Sequence, residues 1–192
     1  LGEAVGTGGE VFTNVTVRSI PKEEREHLAQ LRAGIDFGYA ADPFVYMVCA
    51  LEKRRLYLLE EIFKAGLSNR RAAELVAQKG FGVLIICDSA EPKSIRELRD
   101  LGLRVTGAKK GPDSIHYGIK FLQSLDEIII DGEHCPNAAR EFSSYELERD
   151  SQGNLRAEFP DRDNHTIDAV RYALESEINR KKAKVIERKF LE

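Results

Sequence analysis

The spacing of apolar positions changes several times along the chain, and each change predicts an element. Residues 33–37, 44–50 and 55–63 are apolar runs of strand length, separated by Ala40-Ala41-Asp42-Pro43 and by Glu52-Lys53-Arg54. That pattern predicts three strands joined as a meander. Helical spacing then takes over: Ser68 is placed to cap a helix carrying Ala72, Ala73, Leu75 and Val76, which stops before Gly80. Residues 83–87 are apolar without interruption, as expected of a strand covered on both faces. Helix and strand alternate from there. A helix over 92–101 is stopped by Gly102, and a strand covers 104–106. A helix runs through Ile115, Ile119 and Leu122, followed by a strand over 128–130 and a helix over 134–142. Hairpin-linked strands followed by alternating helices and strands predict an α/β fold with a mixed sheet.

Three further segments fill in the outline. Residues 145–148 and 155–159 alternate on either side of Asp150-Ser151-Gln152-Gly153-Asn154, which predicts a β-hairpin beside the sheet. Asn164 is placed to cap the last helix, with His165, Ile167, Asp168, Val170, Arg171 and Leu174 along it. The opening holds Gly2, Gly6, Gly8 and Gly9, an alternating stretch over 11–17 and a charged stretch over 21–28. It is expected to be weakly core-like, with one strand. The basic residues from Lys181 onward are expected to fray.

Composition mainly removes alternatives. Hydrophobic residues at 42% and charged residues at 32% suit a globular protein with one full core. No apolar run approaches the roughly 20 residues that span a bilayer, and no secretory pattern opens the chain. Cys49, Cys87 and Cys135 form no CxxC pair, so neither a zinc cage nor a disulfide framework is expected. Cys49 and Cys87 fall inside apolar runs, as reduced core residues of a cytoplasmic protein do. A net charge of -3 argues against a general polyanion binder, so any nucleic-acid contact has to come from a local basic cluster or another domain.

The candidate chemistry lies in three acids. Asp36 sits in the apolar strand Gly34-Ile35-Asp36-Phe37-Gly38, where a carboxylate costs desolvation free energy unless a positive partner meets it. Asp88 ends the apolar run at 83–87, and Asp168 follows His165 by three positions, so the two share a helix face. Each acid alone has an ordinary reading as a turn former, a helix cap or a first-turn acid. Together they form the hard oxygen set that binds Mg²⁺ or Mn²⁺. Two such ions, about 3.5–4 Å apart, supply what phosphodiester cleavage needs. Asp36 is placed to bridge them, with Asp88 and Asp168 each holding one. His165 is an accessory group that ligates, orients water or moves a proton. Arg171 and Tyr172 read as salt-bridge and packing residues. Lys109 and Lys110, just before a helix N-terminus, are placed to meet a phosphate backbone.

Four stretches in order carry a resemblance. They are Gly34-Ile35-Asp36-Phe37-Gly38 with Asp42-Pro43, Ile85-Ile86-Cys87-Asp88-Ser89-Ala90-Glu91-Pro92, Ala108-Lys109-Lys110-Gly111-Pro112-Asp113-Ser114-Ile115 and His165-Thr166-Ile167-Asp168-Ala169-Val170-Arg171-Tyr172. The chain resembles the nuclease domain of tailed-bacteriophage terminase large subunits, within the ribonuclease H-like superfamily. The resemblance implies a metal-dependent endonuclease that cuts concatemeric viral DNA during packaging, using two divalent cations, Mg²⁺ or Mn²⁺. It implies double-stranded DNA, an upstream ATPase domain, a terminase small subunit and a portal protein as partners, and the host cell cytoplasm as location. Residues 1–32 are then a linker or remnant of the ATPase domain, 33–180 the nuclease domain and 181–192 a charged tail. The start at Leu1 is expected of a fragment. The rivals are a junction resolvase or integrase on the same fold, an actin-like ATPase lobe sharing the Gly-Ile-Asp-Phe-Gly strand, and a non-catalytic interaction domain.

Overall fold

A computed structural model describes residues 8–38 and 42–189. Residues 1–7, the expected turn residues Ala40 and Ala41, and positions 190–192 lie outside them. The meander is the centre of the fold: β2 (Arg32–Asp36), β3 (Pro43–Glu52) and β4 (Arg55–Ala65) are antiparallel neighbours, each longer than or shifted from its expected span by one or two residues. Parallel strands extend it on both sides. β5 (Ile85–Cys87) and β6 (Val105–Gly107) follow beside β2, while β7 (Glu127–Asp131) and β1 (Val15–Arg18) follow beside β4. The result is one seven-stranded mixed sheet in the order β1-β7-β4-β3-β2-β5-β6.

Helices cover the sheet because the strand residues alternate between two apolar faces. Ala33 and Ile35 point into a cluster with Ala72, Ala73 and Val76 of α2 (Asn69–Lys79) and Ile95 and Leu98 of α3 (Pro92–Asp100). The opposite face carries a larger cluster. It is filled from α4 (Ser114–Gln123), α5 (Pro136–Ser144), α6 (His165–Ala173) and α7 (Glu175–Lys189). A small third cluster sits under α1 (Lys22–His27), where Ile20, Tyr57, Leu59 and Ile129 meet Leu28 and Leu31. The expected caps are present at α2, where the Ser68 hydroxyl accepts the Arg71 N–H at 3.3 Å and Gly80 closes the helix at φ 73°. No helix among the described residues is long and apolar enough to cross a membrane.

Four expectations are corrected. The apolar run at 83–87 is strand only from Ile85, and Leu84 is 48% exposed, since β5 pairs for just three residues. The segment 145–159 forms no continuous strands. A single antiparallel bridge, Arg149 to Leu155, closes its turn, and Asp150 collects the Gln152 and Asn154 amides there. The expected frayed tail is helix through Lys189. The opening is built into the core, with Val11 and Phe12 buried and Val15–Arg18 paired to β7.

Candidate metal centre

The register of the sheet sets two of the acids side by side. Ile35 of β2 pairs in parallel with Cys87 of β5, and the Asp88 N–H donates to the Ile35 carbonyl at 3.0 Å. Asp36 and Asp88 are the next residues on each strand, so both stand at the same level on the C-terminal rim. Side chains alternate along a strand, so Asp36 shares a face with Gly34. Helix α6 lies against that face. A Cβ at Gly34 would fall 1.9 Å from the Ala169 carbonyl oxygen and 2.8 Å from the Ala173 nitrogen, so only glycine lets the helix backbone rest on the strand. This contact delivers the N-terminal turn of α6, with His165 and Asp168, to the rim beside Asp36.

The start of α6 is fixed from a neighbouring helix. Glu141 of α5, 1% exposed, accepts the Thr166 N–H at 2.7 Å and the Thr166 hydroxyl at 2.6 Å. Asn164 holds the N-cap position, but its side chain makes no capping bond, so the distant Glu141 does what a local cap ordinarily does.

Each acid of the rim meets a protein cation. His165 Nδ1 lies 3.0 Å from Asp36 Oδ2, and its Nε2 is 4.0 Å from Asp42 Oδ1. Lys110 Nζ is 2.5 Å from Asp88 Oδ1 and 5.4 Å from the centre of the Tyr172 ring. Arg171 Nη1 is 2.6 Å from Asp168 Oδ1. As placed, the described residues do not close any three His, Cys, Asp or Glu side chains into one cage. The aspartates are nevertheless close enough to feel one another. Burial raises the Asp36 carboxyl above its ordinary range; the His165 hydrogen bond works against this, and the Asp88 charge adds to it. Burial likewise pushes Asp168 up to about 6, with Arg171 opposing and Asp36 reinforcing. Asp88 is held below its ordinary range because Lys110, the Ala90 N–H and Tyr172 outweigh its burial. Its hydrogen bond to Asp36 raises His165. The upward shifts of Asp36 and Asp168 mark two buried carboxylates whose charge added positive charge would favour.

Residues 36–176 match the family described as the Terminase RNAseH like domain. The chain belongs to that family. The terminase large subunit of Bacillus phage SPP1 is 39% identical over 187 residues, which cover 94% of this chain and 44% of that protein. The PBSX phage terminase large subunit of Bacillus subtilis (strain 168) is 32% identical over 147 residues, 75% of this chain and 34% of that protein. The chain therefore spans less than half of either relative. The crystal structure of the g2p (large terminase) nuclease domain from bacteriophage SPP1 with bound Mn is 37% identical. It matches with a TM-score of 0.81 over 86% of this chain and 98% of that one. The expected ribonuclease H-like fold is thus established for this terminase domain.

Of the expected site residues, Asp36, Asp88, Asp168 and His165 all sit on the same rim, and Lys110 reaches it through Asp88. Lys109 does not: its side chain is exposed, and its backbone N–H donates to Glu175. Sequence reasoning missed Glu141, Gly34's packing role and the place of the Tyr172 ring under the Lys110 ammonium. Arg171, read from the sequence as a salt-bridge residue, is one: it stands three residues after Asp168 and so beside it on the helix.

Proposed function

We propose that this terminase domain is a divalent-metal-dependent endonuclease that cuts concatemeric, double-stranded phage DNA during genome packaging in the host cytoplasm. The observation that carries the reading is the placement of Asp36 and Asp88 directly after the paired residues Ile35 and Cys87 of adjacent parallel strands, with α6 laid across Gly34 to bring Asp168 beside them. The donor set fits a hard divalent cation, because it is three carboxylates and the charges of two of them, Asp36 and Asp168, are disfavoured by burial with neighbouring carboxylates adding to the cost. The manganese in the SPP1 g2p nuclease domain supports the same class of ion.

Asp36, the most enclosed on the strand side, would be shared between two ions, with Asp88 and Asp168 each completing one site. When bound, two Mg²⁺ or Mn²⁺ ions supply Lewis-acid polarisation of the phosphate, an activated water and stabilisation of the leaving 3′ oxygen. The protein's own groups do the rest. His165 anchors Asp36 through Nδ1 and presents Nε2, the atom at which it accepts or returns a proton. Arg171 holds the Asp168 carboxylate in one orientation. Lys110 and Lys109 provide positive charge for the DNA backbone next to the rim. Because the relatives extend well beyond this chain, an upstream ATPase domain, a small subunit and a portal protein complete the proposed packaging assembly.

The test is direct. The chain is incubated with supercoiled plasmid and Mn²⁺ or Mg²⁺, with and without chelator, beside Asp36→Asn. Nicking or linearisation lost in both controls is the expected result. ATP binding without cleavage would instead favour the ATPase-lobe rival and overturn the reading.

A further inference from the structure

Next to the aspartates lies a cavity of about 150 Å³, bounded by the 108–111 loop, the start of α4 and the α6–α7 junction. We infer that it is a phosphate subsite for the DNA strand running past the carboxylates, with α7 as one of its walls; this rests on the nuclease reading.

Its position and its charge support this. Lys110 lines the cavity while its Nζ lies 2.5 Å from Asp88 Oδ1, and Tyr172, under the same ammonium, lines it too, so the cavity adjoins the carboxylates where a scissile phosphate would sit. Lys182 of α7 lines it from the far side. Neutral groups hold that ammonium, the Pro112 carbonyl at 3.1 Å and the face of the Tyr117 ring at 4.3 Å, so its charge stays available to an anion. Arg171 is a third lining cation. Its side chain is 5% exposed, Nη1 is spent on Asp168, and Nε is buried without a hydrogen-bond partner. Room for that guanidinium exists only because residue 118 is glycine, where a Cβ would lie 2.7 Å from Nε. Glu175 is the acid in the wall, and it is turned to the Lys109 N–H.

Helix α7 is docked firmly enough to serve as a wall. Ile178 is buried in the main core, and Lys181 lies over Phe121 at 5.5 Å while donating to the Ser124 hydroxyl at 2.5 Å. The basic end of the chain thus becomes part of the substrate path.

Binding of a fluorescent DNA duplex to the 192-residue chain, followed in chelator across a salt series, tests the idea. Lys182→Ala should lower the slope of log affinity against log salt by about one, as loss of one phosphate contact does, and Lys182→Arg should restore it. Mn²⁺ affinity should be unchanged in both variants. An unaltered slope in Lys182→Ala overturns the subsite, as does an equal loss in Lys53→Ala, at the opposite end of the sheet. If the wild-type chain fails to nick plasmid with Mn²⁺, the nuclease reading falls; nicking with an unaltered slope sinks only the subsite.

Discussion

Asp131 and Asp36 both end strands on the same rim of one sheet and are nearly inaccessible, at 1% and 9% exposure, yet their acidities move in opposite directions. Asp131 is surrounded by donors. Arg25 and the Ile20 N–H reach one oxygen, and the Glu133 and His134 amides and His134 Nδ1 reach the other. Burial alone would raise its carboxyl, but these partners hold it at about 2. Asp36 has His165 and sits near two more carboxylates, and its carboxyl is raised. The difference is one of completeness. A buried acid whose partners are all supplied by the chain fastens structure, here pinning α1 to β7. A buried acid left short of positive charge is arranged for something that comes from outside.

The contrast can be broken from either side. Asp36→Asn should abolish metal-dependent plasmid nicking, by on the order of a thousandfold or more, while leaving thermal stability equal to wild type or higher. A marked loss of stability would make Asp36 another structural acid. Asp131→Asn should do the reverse. It strands the Arg25 guanidinium and should cost about 3 kcal/mol in denaturant unfolding, with Mn²⁺ affinity unchanged.

Stability against pH, measured in chelator, sharpens the comparison through its sign. Asp131 is depressed to about 2 in the fold, so its contribution is fully present above the unfolded value of about 4 and is lost as pH falls through 2. Asp168 is raised to about 6, so its ionisation costs nothing below about 4 and the cost grows as pH rises to 6. Difference curves against Asp131→Asn and Asp168→Asn should therefore slope in opposite directions. Parallel curves would show that the two acids are held alike. The smallest effect is expected at Arg18→Ala. This partly exposed partner of Glu24, paired at 2.6 Å, should change stability by about 1 kcal/mol or less.

Much of the fold was legible because its signals are local. The meander, the Ser68 cap and Gly80 stop of α2, and the helix–strand alternation from residue 92 to 144 follow from apolar spacing and turn chemistry. Three features escaped because their causes lie far away in sequence. The alternation of 145–159 closes one bridge within itself, Arg149 to Leu155, and its first residues pair with the distant opening of the chain through the Glu10 to Glu146 bridge. The basic stretch of α7 becomes ordered through Ile178 and through Arg32, which reaches Glu177 at 2.8 Å from the start of β2. Val11 and Phe12 look like part of an alternating strand, but both are buried, Phe12 against the rings of Phe142 and Tyr145. The acids of the rim were readable as residues. Their protein partners were not, since nothing in the spacing of Lys110 and Asp88 announces an ion pair.

The main-chain contact at Gly34 has a consequence for how the rim can vary. Main-chain atoms of α6 rest on the strand, with no side chain as a spacer, so the reach from Asp36 to Asp168 works as a fixed gauge. Larger or smaller residues elsewhere on the helix can change what surrounds that gauge, but they cannot lengthen it without lifting the helix away.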